Sequence, residues 1–148
     1  VKGIRFDQDL KVGEHTFFLA QCIKKASKIA SQESELYFYC HQDESVTQCS
    51  YFSGKLTEMT AWEKIVELYA DEPLVQKTAK AGYAQTCREL VVKYSKDAAF
   101  MQEAKAGFYK WAGELMRAQF YEKRYCYLLK TIYSYFFWNT WVKRKQGE

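Results

Sequence analysis

Cysteine and histidine are the residue types in this chain that could carry chemistry. The chain has two histidines, His15 and His41, and five cysteines: Cys22, Cys40, Cys49, Cys87 and Cys126. Cys40 and His41 are neighbours in sequence, and such neighbours point apart on a helix or strand, so they do not predict a nucleophile–base pair. No Cys/His spacing fits a zinc site, and HExxH, GxGxxG, P-loop and GxSxG motifs are absent. The sequence therefore predicts no catalytic, cofactor or metal site.

The cysteines point to disulfides and to an oxidising compartment. Five cysteines in 148 residues is above average usage, and the chain begins at Val1 with no Met. We expect a secreted protein whose signal peptide has been removed, with two disulfides and one spare thiol. The alternatives are a periplasmic protein or a cytosolic protein whose thiols pack as small hydrophobic groups. The residues alone leave the pairing open, and a Cys40–Cys49 bridge across a hairpin is one candidate.

Aromatic residues make up 18% of the chain and are concentrated in residues 120–142. Within this run Tyr125, Leu129 (or Leu128), Ile132 and Phe136 recur at helical spacing, which predicts a helix with this stripe on the core. Further aromatic residues in the run then lie on other faces of the helix, outside this stripe. Tyr and Trp are enriched in protein interfaces. The candidate partner-binding residues, for another protein or for a homodimer, are Tyr135, Trp138 and Trp141.

The charge differs between the two halves of the chain. Residues 1–74 contain 8 Lys/Arg and 12 Asp/Glu (net −4), and residues 75–148 contain 14 and 6 (net +8). A basic half, ending in Lys143-Arg144-Lys145, is compatible with binding to nucleic acid or to an anionic membrane. No basic run exceeds three residues, so neither of these partners is favoured.

The elements predicted to position these residues are helices. The chain has one Pro and one Asn, and few breakers favour long helices. We predict an all-α fold, a single helical bundle of about five or six helices over residues 1–148, after a loose arm at residues 1–8. Apolar stripes predict helices from Glu14 to about Ala30, from a Thr60–Glu63 capping box, from Pro73, and from about Asp97, with a break near Gln119–Lys123. Residues 35–52 fit either a hairpin or a helix.

The two halves of the chain are weakly similar in sequence. Cys22 precedes Tyr39-Cys40 in the first half, and Cys87 precedes Tyr125-Cys126 in the second, which is compatible with two diverged half-repeats. This arrangement resembles the secreted salivary effectors of gall-forming aphids, which carry two Cys-Tyr-Cys motifs. Together with the similarity between the halves, this resemblance favours Cys22–Cys40 and Cys87–Cys126 disulfides, leaving Cys49 free.

The resemblance implies a protein that is delivered into a plant host and acts by binding a host protein, without catalysis. A rival resemblance, based on size, helices and cysteines, is to small periplasmic immunity proteins that block a cognate toxin. Such an inhibitor would present an exposed acidic loop, and Asp43-Glu44 is its candidate.

Overall fold

Six α-helices make up most of the chain in the computed structural model, which describes residues 3–30, 53–94 and 98–146. In chain order the helices are α1 (Glu14–Lys25), α2 (Thr57–Leu68), α3 (Pro73–Tyr94), α4 (Ala98–Tyr121), α5 (Tyr125–Phe136) and α6 (Trp138–Gln146), and a turn of 3-10 helix (Ser53–Leu56) precedes α2. These residues contain no strand, which confirms the all-α prediction for the described part. The segment predicted as hairpin or helix, residues 35–52, lies outside it.

The pair α3 and α4 forms the centre of the fold. α3 begins at Pro73 as predicted, where the missing N–H of Pro costs no helical hydrogen bond. Gly107 allows the two helices to approach closely: a Cβ there would lie 2.7 Å from both the Cys87 Sγ and the Tyr83 hydroxyl oxygen. The side chains of Cys87 and Phe108 are fully buried. The α3–α4 interface is therefore apolar and close-packed.

The predicted break after α4 is confirmed. Lys123 has a positive φ of 57°, and its N–H donates to the Phe120 carbonyl at 3.0 Å. The N–H of Arg124 donates to the Gln119 carbonyl at 2.8 Å, so the turn satisfies the last carbonyls of α4. α5 can then fold back along α4.

The beginning of α2 differs from the prediction. The helix begins at Thr57, so Thr60 lies inside it and the predicted capping box is wrong. The Thr57 hydroxyl oxygen accepts the backbone N–H groups of Lys11 (3.0 Å) and Val12 (2.9 Å). A contact with a segment far away in sequence accompanies this helix start, and a local pattern cannot reveal such a contact.

The N-terminal segment packs against the helices. The Phe6 ring stacks on Phe18 with centroids 4.3 Å apart, the Asp7 carboxylate pairs with Lys64, and Leu10 is buried. The part of the predicted loose arm that includes Phe6 and Asp7 is thus anchored. α1 ends at Lys25, before the predicted end near Ala30, because the backbone turns extended at Ala26.

The apolar core consists of two clusters. The larger one joins α2, α3, α4 and α6, and the smaller one joins α2 and α3 to Phe17 and Ala20 of α1. α5 contributes no fully buried apolar side chain to either cluster; its buried residues are Thr131 and Ser134. This unusual packing of α5 makes it the first place to look for a functional surface.

Candidate functional site

α5 turns its apolar stripe away from the core. The predicted core stripe, here called the outer stripe, consists of Tyr125, Leu129, Ile132 and Phe136. Tyr125, Leu129 and Phe136 are 53%, 66% and 70% exposed, and Ile132 is partly exposed. The periodicity was predicted correctly, but the prediction that it faces the core is wrong. Thr131 and Ser134, on the opposite side of the helix, have no exposed surface.

A buried arginine on α3 explains which side of α5 faces inward. Arg88 is only 7% exposed, and its Nη1 donates to the Thr131 hydroxyl at 2.7 Å while its Nη2 donates to the Gln85 side-chain oxygen at 3.0 Å. Burial lowers the pKa of the Arg88 guanidinium, and the nearby Glu89 carboxylate opposes that shift. A buried cation needs hydrogen-bond acceptors. The polar face of α5 provides one, and the apolar face is left outside.

The second polar side chain on this face is satisfied within α5. The Ser134 hydroxyl donates to the Thr131 carbonyl at 2.9 Å, and the Thr131 hydroxyl donates to the Tyr127 carbonyl at 3.0 Å. Buried hydroxyl groups without a partner would be costly. The inward face of α5 is therefore small and polar but fully hydrogen-bonded at these two residues.

The three residues predicted to bind a partner have different environments. Trp138 and Trp141 are 5% and 7% exposed and belong to the larger core cluster. The Trp138 ring lies against Phe108, with centroids 5.1 Å apart. Tyr135 lies at the surface, and its carbonyl accepts a hydrogen bond from the Tyr109 hydroxyl. The two Trp side chains are thus mainly core residues, and the exposed aromatic surface lies on other positions.

Further exposed aromatic residues lie near the two ends of α5. They come from the end of α4, the first turn of α5 and the α5–α6 corner. Their members are Phe120, Tyr121, Tyr127 and Phe137. The aromatic content of residues 120–142 predicts such a surface, but it does not show which of the rings are buried.

The corner between α5 and α6 encloses a groove. Phe137 has non-helical backbone angles (φ −125°, ψ 42°), and the chain changes direction there. The space on one side has a volume of about 500 Å³, and we call it the α5–α6 groove. It is lined by Leu129, Lys130, Tyr133, Trp141 and Arg144.

Positive charge lies along the groove, which Lys130 and Arg144 line. Residues 125–146 contain four cations (Lys130, Lys143, Arg144 and Lys145) and no Asp or Glu. Several cations elsewhere in the described chain have acidic partners, as in the Lys24–Asp71, Lys64–Asp7 and Lys110–Glu63 pairs. The α5–α6 unit therefore carries an excess of positive charge next to exposed aromatic rings.

The cysteines do not form the predicted disulfides in the described residues. Cys22, Cys87 and Cys126 are free thiols; Cys126 is exposed, Cys22 is partly buried and Cys87 is fully buried. The predicted Cys87–Cys126 bridge is therefore absent, because Cys87 is packed against Gly107 inside the α3–α4 interface. Cys22 is free of the predicted bridge to Cys40. Cys40 and Cys49, with the proposed Cys40–Cys49 alternative, lie outside the described residues.

The titratable groups buried between α3 and α4 are neutral at neutral pH. Burial raises the pKa of the Cys87 thiol to about 12, so this buried group is not a thiolate at neutral pH. Burial also raises the pKa of the neighbouring Tyr83 hydroxyl well above its usual value. Within residues 3–30, 53–94 and 98–146, no three His, Cys, Asp or Glu side chains are grouped so as to hold a metal ion.

None of the helices in the described ranges has the length and apolar character needed to cross a bilayer. The acidic loop Asp43-Glu44, predicted for a toxin inhibitor, lies outside these ranges.

Comparisons of the chain with protein-family models, with curated proteins and with solved structures found no match. The resemblance to aphid effectors is thus neither supported nor contradicted, and it stays a prediction.

Proposed function

We propose that the protein is an interaction protein that binds an acidic partner protein through the outer stripe of α5 and the cations beside it. The observation that carries this proposal is the inverted packing of α5. Its inward face has Thr131 and Ser134, whereas Tyr125, Leu129 and Phe136 are more than half exposed.

The spacing of the outer stripe supports a groove or helix on the partner as the complementary surface. Positions i, i+4, i+7 and i+11 lie along one side of a helix, which is the pattern by which an amphipathic helix docks into an apolar groove. Burial of each large apolar side chain contributes about 1.5–3 kcal/mol. The stripe therefore offers enough apolar surface to anchor a partner.

The charge around the stripe supports an acidic partner. α5 and α6 carry four cations and no carboxylate over residues 125–146. Complementary charge speeds encounter and disfavours basic competitors. A partner with Asp or Glu beside its apolar surface would meet these cations as the stripe docks.

An anionic membrane is the other surface that combines negative charge with apolar material. The concave shape of the α5–α6 groove favours a protein partner. A protein side chain can fill a space of about 500 Å³ and stay in fixed contact with its walls, whereas fluid lipid molecules keep no fixed position there.

We extend the proposal to a secreted effector that acts on a host protein. This extension rests on the Cys…Tyr-Cys resemblance alone. The three described cysteines are free thiols, so they do not add a disulfide argument for secretion.

Fluorescence anisotropy with two amphipathic helical peptides tests the proposal. Both peptides carry leucines on one face; one has glutamates on its flanks and the other has lysines there. We expect the acidic peptide to bind and the basic peptide to bind much more weakly. The variant Tyr125→Ser/Phe136→Ser should weaken binding of the acidic peptide on the order of tenfold or more, since two apolar anchors are lost.

The matched control is Leu19→Ser/Leu74→Ser, which removes two exposed apolar side chains far from α5 (58% and 79% exposed). It should bind the acidic peptide as well as the natural chain does. Equal binding of both peptides, or an unchanged affinity of the α5 variant with an intact circular dichroism spectrum, would overturn the proposal. Stripe-dependent binding to phosphatidylserine vesicles without peptide binding would replace the protein partner by a membrane. Stripe-dependent dimerisation in sedimentation velocity would replace it by a second copy.

A further inference from the structure

The α5–α6 groove has the dimensions of a site for a specific side chain or ligand. Its volume of about 500 Å³ lies within the roughly 300–1,000 Å³ that binding pockets occupy. Leu129 and Tyr133 line it from successive turns of α5, and Trp141 lines it from α6. Two of these three side chains are aromatic, so the groove presents ring faces and edges to its contents.

The Trp141 wall is held in place by the core. Its ring contacts Trp138, with centroids 5.4 Å apart, and Trp138 in turn lies 5.1 Å from Phe108, which is fully buried. A side chain fixed in this way does not need to be ordered on binding. Preorganisation of this kind reduces the entropy lost when a partner binds.

Two cations on the groove are placed by aromatic rings. The Arg144 guanidinium carbon lies 6.0 Å from the centre of the Tyr133 ring, and the Lys130 ammonium lies 5.4 Å from that of Tyr127. Neither cation forms a salt bridge with a carboxylate among the described residues. Both charges are therefore available to an anion in the groove.

We infer that the groove binds an aromatic side chain of the acidic partner together with the carboxylates next to it in the partner's sequence. The inference rests on the proposed function and specifies the partner's recognition motif. The partner's ring packs between Tyr133 and Trp141 in offset or edge contacts, which aromatic pairs prefer. One neighbouring carboxylate accepts two N–H groups from the planar guanidinium of Arg144, and another accepts from Lys130.

Short peptides and the indole N–H resonance of Trp141 test this inference in ¹H–¹⁵N spectra of the full chain. The resonance is assigned by its absence in Trp141→Phe. The probes are blocked tripeptides with the sequences Glu-Trp-Glu, Glu-Ala-Glu and Lys-Trp-Lys. We expect a saturable shift with the first peptide, and binding of the other two weakened about tenfold or more, because each lacks the ring or the carboxylates.

The variant Arg144→Gln should weaken binding of Glu-Trp-Glu about tenfold, since a charge-assisted bidentate pair is lost. Its matched control is Lys143→Gln, which removes an exposed cation that does not line the groove and should have little effect. Equal weakening by the two variants would show a general charge effect and overturn the inference. Equal shifts with all three peptides, or with inorganic phosphate alone, would also overturn it.

The two proposals fail in different ways. In one case the acidic amphipathic peptide binds Tyr125→Ser/Phe136→Ser more weakly but binds Arg144→Gln as well as the natural chain, and Glu-Trp-Glu does not shift the Trp141 resonance. The stripe then binds a partner and the groove does not. If neither the acidic amphipathic peptide nor Glu-Trp-Glu binds the natural chain, both proposals are wrong.

Discussion

The α3–α4 interface and α5 show two opposite ways of packing a helix in one small protein. Between α3 and α4, apolar residues such as Phe108 and Val91 are fully buried, and Gly107 brings the helices close together. α5 instead buries Thr131 and Ser134 and exposes Leu129 and Phe136. The first arrangement contributes to stability through hydrophobic burial. The second holds the helix by the Arg88–Thr131 hydrogen bond together with the partly buried Tyr133 ring, and it leaves the apolar stripe exposed.

The largest expected difference between the two regions is in the cost of removing a phenylalanine. Phe108→Ala should lower the free energy of unfolding by about 3–5 kcal/mol, because it opens a cavity in a close-packed core. Phe136→Ala should change it by less than about 0.5 kcal/mol, as is usual for a surface position. Urea denaturation followed by circular dichroism measures both values. Similar losses in the two variants would show that the outer stripe is buried in solution and would contradict the comparison.

A smaller effect is expected at the polar contact that orients α5. Thr131→Val removes the acceptor of the Arg88 guanidinium and leaves a buried donor unpaired, which should cost about 1–3 kcal/mol. Arg88→Met/Thr131→Val replaces both partners by apolar groups and should recover part of this loss. Urea denaturation of the single and double variants measures the recovery. A double variant that is less stable than Thr131→Val would show that Arg88 has a further role in the fold.

The smallest expected effect on stability concerns the thiols, which should instead differ clearly in their reactivity. In the native protein Ellman's reagent should modify Cys126 quickly and Cys22 more slowly, in keeping with their exposure. Cys87 should react only after unfolding, because burial excludes the reagent and raises its pKa to about 12. Peptide mapping by mass spectrometry identifies the modified cysteines. A Cys87–Cys126 disulfide in the unreduced protein would contradict the packing of the α3–α4 interface described above.

Sequence patterns located several elements correctly where the signal is local. Pro73 begins α3 because its ring suits the first helical turn, and the break at Gln119–Lys123 was expected because one helix through to residue 144 would be too long. Gly107 is a local signal too, since a residue without a Cβ lets two helices approach closely. Gly113 has open space around it, and the bend of α4 lies nearby at Trp111.

The errors arose where a distant residue decides the local arrangement. The start of α2 at Thr57 is accompanied by contacts with the backbone of Lys11 and Val12. The burial of most of Trp138 and Trp141 was not foreseen, because aromatic content does not reveal which rings reach Phe108. The Cys87–Cys126 disulfide was predicted from a weak sequence similarity between the two halves, and such a similarity contains no information about the distance between two thiols.

By itself the sequence determined that the described chain is helical, where α3 begins, where α4 ends, and which residues of α5 form one apolar stripe. These properties depend on local sterics and on the 3.6-residue period of a helix. Only the tertiary structure decided which way the stripe faces. Periodicity defines a face but not what lies against it. Here a buried arginine 43 positions away in sequence donates a hydrogen bond to the Thr131 hydroxyl, and the apolar side of α5 is left exposed.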